Sequence, residues 1–362
     1  MDDAKLHLSD RPEMADKAVA IWLAVIAGMV AAMVIIGGIT RVTGSGLSMV
    51  EWRPVLGWFP PLSAEEWQRV FKLYQTSPEY KHINTWMDLS AFKRIFWWEY
   101  IHRLWGRLIG VVFFFPFVVF VATHKIKRRM LFRVCFLFFL GGLQGALGWW
   151  MVKSGLSSDP SVSQYRLATH LGVAFLILGL LIWTILDLVG KRHMPGPKIM
   201  FYHANIVTIF IFVTVIGGAL VAGLKAGLIY NTFPLMDGRI TPPDYFSLQP
   251  FWRNIFENVG AVQFNHRVLA IITLLTVVSL CVCSRFLSHN GLFLKTIYVM
   301  GTLAGLQFVL GVLTLIHFVP GLLAVAHQFI GLCLFGTSVI ISWSLSAKPN
   351  GYLKERGNAE FE

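Results

Sequence analysis

Apolar residues run through this chain in eight blocks, each close to the twenty or so residues that the hydrocarbon core of a bilayer requires. The blocks lie at about 18–39, 99–122, 130–151, 167–189, 199–221, 264–286, 296–317 and 322–345. Each predicts a transmembrane α-helix. The first block is too long for the apolar region of a secretory signal and its flanks do not suggest cleavage, so it too is read as a helix.

Composition agrees: 56% of the 362 residues are hydrophobic and 14% charged, against roughly 25% charged in soluble domains. The formal net charge of +12 raises the question of nucleic acid, and its distribution answers it. Basic residues gather in short connections: Lys125, Lys127, Arg128 and Arg129; Lys191, Arg192 and Lys198; Arg285 and Lys295; then Lys348, Lys354 and Arg356. All fall on one side if both termini are cytoplasmic, as the positive-inside rule requires. The expected partner is therefore the lipid bilayer and no nucleic acid. The other side carries two long connections, about 40–98 and 222–263, and a short one near Pro320. The four cysteines, Cys135, Cys281, Cys283 and Cys333, lie within expected helices and read as buried thiols.

The blocks also repeat. Gly37-Gly38-Ile39-Thr40-Arg41 ends the first helix and Gly217-Gly218-Ala219-Leu220-Val221 the fifth. Ile101-His102-Arg103-Leu104 opens the second and Asn265-His266-Arg267-Val268 the sixth. The third carries Gly142-Leu143-Gln144-Gly145 with Gly148, and the seventh Gly305-Leu306-Gln307 with Gly311. Thr169-His170 on the fourth helix corresponds to Ala326-His327 on the eighth. Four matches in one order divide the chain at about 1–195 and 196–362. Each half has an even number of helices, so both share one orientation. The expected fold is an all-α integral membrane protein of two parallel-repeat four-helix bundles, with a pseudo-twofold axis along the membrane normal.

Of eleven histidines, the repeat singles out His102, His170, His266 and His327, each expected in the first turns of an even-numbered helix near the external face. Ionisable groups inside a bilayer are rare and point to function. Two neutral imidazoles facing each other inside a bundle suit a haem ligated from both sides. Zinc would want further thiolate, imidazole or carboxylate ligands, which the pattern lacks. The glycines of the third and seventh helices, Gly141, Gly142, Gly145 and Gly148 with Gly301, Gly305 and Gly311, would let a helix or a flat macrocycle approach; ordinary small-residue packing reads equally well.

The halves differ at Glu99, three residues before His102, where the second half has Gln263. A carboxylate on the histidine's face suits a general base or a water-orienting group; the alternative is a wetted first-turn carboxylate that favours the helix N-terminus. Arg103 and Arg267 follow their histidines and, with Arg41, are candidates for haem propionates; snorkelling to the interface is the other reading. The Gly- and Ser-rich stretch at 40–52 suits a flexible loop over a shallow pocket.

These residues resemble the haem A synthase family. The carriers are the run from Gly37 to Ser48 with Glu51-Trp52, then Glu99-Tyr100-Ile101-His102-Arg103, the contexts of His170, His266 and His327, and Gln144-Gly145-Ala146-Leu147-Gly148. The resemblance implies an oxidoreductase that converts a methyl group of haem O to the formyl group of haem A by successive hydroxylations. It implies that His102, His170 and Glu99 serve the substrate haem, and that His266 and His327 hold a resident haem b. The implied partners are haem O synthase, cytochrome oxidase assembly factors and an electron donor, and a homo-oligomer is compatible with it. Residues 40–98 contain no cysteine, so the chain is similar to the mitochondrial-type branch, which lacks an external cysteine pair. A non-enzymatic di-haem cytochrome b would need the same four histidines and leave Glu99 without a task. A prenyltransferase would need acidic clusters for Mg²⁺, which the sequence lacks.

Overall fold

The computed structural model describes residues 14–52, 57–157, 160–190, 197–287 and 291–346. The boundary at 195/196, His7, His193 and His289, and the basic residues Lys191, Arg192, Lys348, Lys354 and Arg356 lie outside them. The helices are α1 (Met14–Val42), α2 (Ala64–Gln75), α3 (Pro78–His82), α4 (Leu89–Ala122), α5 (Arg128–Gly155), α6 (Gln164–Val189), α7 (Lys198–Gly223), α8 (Asn254–Glu257), α9 (Val259–Leu287), α10 (Gly291–Ile316) and α11 (Gly321–Leu345). Among the described residues eight of them, all but α2, α3 and α8, are long and apolar enough to cross a membrane. They coincide with the eight apolar blocks.

Two helices start well before their blocks. α4 begins at Leu89, where Asp88 caps it by accepting the Ala91 N–H at 2.7 Å. At about 1.5 Å per residue its 34 residues span roughly 51 Å, well over the roughly 30 Å hydrocarbon core. The extra turns are aromatic and find partners in the connection that precedes α4. Phe92, Phe96 and Tyr100 pack with Trp67, Phe71 and Tyr74 of α2 in a separate cluster. α9 likewise starts at Val259, where Asn258 accepts the Ala261 N–H.

Because of those overhangs His102 and His266 lie deeper than the first turns expected from the sequence: His102 is the fourteenth residue of α4, and His266 the eighth of α9. The stretch at 40–52 also differs from a flexible loop. Ser45 and Ser48 are buried, and Ser48 is tied to Glu99.

The main core draws on all eight spanning helices and centres on α1, α6, α7 and α11, with Leu23, Ile26, Phe175, Leu181, Ile211 and Phe335 among its buried side chains. α1 packs against α4 and α6, and α7 against α9 and α11. α5 lies on α6, as α10 lies on α11. The contacts α6–α7, α1–α11 and α6–α11 join these groups. At the opposite end from α2, Asp187 of α6 accepts from Arg133 of α5 (2.6 Å) and from the Trp343 indole of α11 (2.8 Å).

A candidate haem site in each half

Each of the four histidines is backed by a glycine on a neighbouring helix. A Cβ at Gly37 of α1 would lie 3.2 Å from Cε1 of His102, and one at Gly148 of α5 would lie 3.1 Å from Cε1 of His170. A Cβ at Gly218 of α7 would meet His266 at 3.2 Å, and one at Gly311 of α10 would meet His327 at 2.9 Å. At Gly311 a side chain would force the ring to shift, and at the other three the ring would have to yield by a few tenths of an ångström, so the glycines seat the rings. The other glycines of the expected stripes behave differently. Gly141, Gly142, Gly145 and Gly305 face open space, and Gly301 faces Cys281.

Two of the rings present Nδ1 to an oxygen of a neighbouring helix. Nδ1 of His327 sits 3.1 Å from the Gln307 carbonyl. Nδ1 of His102 lies 3.5 Å from the Thr40 hydroxyl, which spends its own proton on the Ile36 carbonyl at 2.8 Å and so faces the ring as an acceptor. The His170 and His266 rings have the carbonyls of Gln144 and Thr214 as backbone neighbours, while Nδ1 of each lacks a well-shaped hydrogen bond. For His102 and His327, Nε2 is left as the other nitrogen. Metal-ligating histidines are usually held this way, through the nitrogen that does not bind the metal. His102 and His170 are close enough for their charges to interact, and so are His266 and His327. This donor set fits one bis-imidazole iron per pair. Gln307 is the one group in the way, its amide nitrogen 3.3 Å from Nε2 of His327. The equivalent Gln144 donates instead to the His170 backbone carbonyl at 2.9 Å.

Glu99 lies on α4 beside the first pair, at 3% exposure, so it is not wetted. Its Oε2 accepts from the Ser48 hydroxyl and the Met49 N–H, both at 2.7 Å, while Oε1 accepts from Arg103. Arg103 also donates to the carbonyls of Met49 and Glu51 and stacks on Trp52 at 5.1 Å. Glu99 and Arg103 thus clamp residues 48–51 above the bundle. Gln263 and Arg267 hold the connection between α7 and α9 in the same manner. The Gln263 amide donates to Ala226 and Ile229 carbonyls at 2.7 and 2.5 Å, and its oxygen accepts from Arg267 at 2.7 Å. Arg267 donates onward to the carbonyls of Thr232 and Tyr230. The side chain at this position matches its loop: donors face the carboxylate, and acceptors face the amide. Arg41 reaches across instead to the last carbonyls of α7, Ala222 at 2.7 Å and Gly223 at 3.4 Å.

Residues 20–339 match the COX15-CtaA family, described as a cytochrome oxidase assembly protein. Curated relatives include the haem A synthase of Parvibaculum lavamentivorans, 48% identical over 76% of this chain and 80% of that protein. Those of Nitrosospira multiformis and Maricaulis maris are 47% and 51% identical, over 72% and 69% of this chain and 75% and 74% of theirs. The chain belongs to the haem A synthase family.

In this haem A synthase family member, sequence patterning found the histidines but missed the groups beside their rings: Thr40, Gln144, Thr214 and Gln307. The paired glutamines were visible as matching positions of the repeat, and only the packed helices show their contacts. Also missed was Glu79, outside the spans. It is buried and accepts from the Tyr74 hydroxyl at 3.0 Å, which in turn accepts from Asn84 at 2.8 Å. Desolvation pushes its carboxyl up to about 7 against the opposing Tyr74 hydrogen bond, with the nearby Glu99 charge adding to the rise.

Proposed function

We propose that this protein oxidises a methyl substituent of haem O to a formyl group, giving haem A for terminal oxidase assembly. The observation that carries the reading is the pairing of four histidines, His102 with His170 and His266 with His327, in a chain of the haem A synthase family. Methyl to formyl is a four-electron oxidation, met by two hydroxylations at one carbon, each with an oxidant such as dioxygen taken together with two donor electrons, followed by loss of water.

In this reading residues 1–195 form the substrate half, with His102 and His170 on the haem O iron, and residues 196–362 form the half in which His266 and His327 hold haem b. Haem b, when bound, supplies one-electron redox chemistry. The two halves are parallel repeats in a bacterial inner membrane, with both termini cytoplasmic and the histidine pairs toward the external face. Glu99 is the carboxylate of the substrate half. With both oxygens engaged it fixes the loop over that half, and proton transfer through it requires Ser48 or Met49 to let go. Arg103 divides its donors between two loop carbonyls and Glu99, and Arg267 between loop carbonyls and Gln263, so any propionate would share them. Haem O synthase would deliver the substrate, oxidase assembly factors would receive the product, and a separate donor would supply electrons.

The assignment of halves is tested by identifying the haems bound after purification. His266→Ala and His327→Ala are each expected to lose the haem b spectrum; unchanged absorbance in both variants overturns it. A di-haem cytochrome b uses the same histidines, and conversion of added haem O separates the two readings.

A further inference from the structure

The repeat is broken at a second place besides Glu99. Thr40 and Arg41 correspond to Leu220 and Val221, and Gln328 corresponds to Leu171. All three polar members meet around the last turn of α1. There Gly37 and Thr40 touch His102. Gly38 carries no side chain where Gln328, next to His327 in the chain, presses in: a Cβ would lie 2.6 Å from its Oε1. Gln328 also donates to the Val34 carbonyl at 2.7 Å. Arg41 holds the final carbonyls of α7, the helix whose Gly217 and Gly218 seat His266. One helical turn therefore touches the ring of the first pair, the neighbour of one ring of the second pair and the helix behind the other.

We infer that Arg41, with Gln328, is a positioning residue shared by both histidine sites, whose cation sets their redox balance together. The inference rests on the assignment of a haem to each pair made above. Arg41 is one helical turn from Gly37 on α1, and its contacts on α7 are about one turn from Gly218, so its charge stands between the helices that seat His102 and His266. A half-buried guanidinium there favours the reduced, more negative state of each. The α7 carbonyls use one of its nitrogens and anchor the cation to the second half. Gln328 fixes the spacing between α1 and α11. The second half has Val221 at the equivalent position, so this bridge to the other half has no counterpart in the repeat.

The test is a spectroelectrochemical titration of the purified full-length protein with its haems, in wild type, Arg41→Gln, Arg41→Lys and Gln328→Glu. In Arg41→Gln both haems are expected to shift downward in potential by roughly a tenfold change in the reduced-to-oxidised ratio, about 59 mV for one electron. Arg41→Lys should stay close to wild type. Gln328→Glu, which adds a negative charge at the same junction, should also lower both and serves if Arg41→Gln does not fold. Unmoved potentials in a well-loaded variant overturn the inference, as does a shift confined to one haem. So does an equal shift in Arg41→Lys and Arg41→Gln, the sign of a purely structural clamp. If wild type binds haem at neither pair, the proposed function fails first and takes this inference with it; that result differs from normal loading with unmoved potentials.

Discussion

At the residue scale the decisive features are polar groups whose partners come from other helices. The four histidines were legible because the repeat marked them. Their orienting acceptors were not, because a carbonyl across a helix interface leaves no trace in the sequence. Glu99 against Gln263 shows the same limit: the difference was visible, and its fit to donors in one loop and acceptors in the other was not. Gln263→Glu should therefore set a carboxylate against the Ala226 and Ile229 carbonyls and destabilise the connection between α7 and α9 by about 1–3 kcal/mol. Faster proteolysis within residues 224–258 would report this, and wild-type resistance would refute it. Glu79 was hidden in a connection without apolar periodicity. Its folded value, about 7, stands above the ordinary 4.5, so the folded lobe binds more protons between those values. The stability it contributes is present below pH 4.5 and is lost as pH rises through about 7. Glu79→Gln should flatten that dependence in thermal unfolding of the α2–α3 lobe. An unchanged slope would show that another group is responsible.

At the element scale the apolar blocks located eight helices. They missed the first turns of α4, because those turns are amphipathic and bury aromatic side chains against α2 rather than in lipid. Glycine stripes read from the sequence could not separate ring seats from positions that face open space. The structure separates them, and a paired substitution on α10 tests the distinction. Gly311→Ala places a Cβ 2.9 Å from His327, and is expected to displace the ring and broaden or abolish the haem b absorbance. Gly305→Ala meets open space and should leave it unchanged. Equal spectra in both variants would contradict the seating role. On α1 one turn combines a ring seat, an inter-helix glycine and a cation, which explains why that motif is denser in glycine and polar residues than its counterpart on α7.

At the scale of the whole molecule, the sequence carried the membrane class, the number of spans and the family resemblance. The family match over residues 20–339 covers both histidine pairs. What patterning could not supply was the join between the halves, because contacts such as Arg41 to Ala222 or Gln328 to Val34 connect residues 181 and 294 positions apart. The shared core of α1, α6, α7 and α11 places both histidine pairs on one frame, with the clamps of Glu99 and Gln263 above them. The central claim is that this frame oxidises haem O. The direct measurement is to incubate the purified protein with haem O and a reductant in air, then separate and weigh the extracted haems. The account predicts hydroxylated haem followed by haem A; recovery of haem O alone, from protein that binds it, would contradict it.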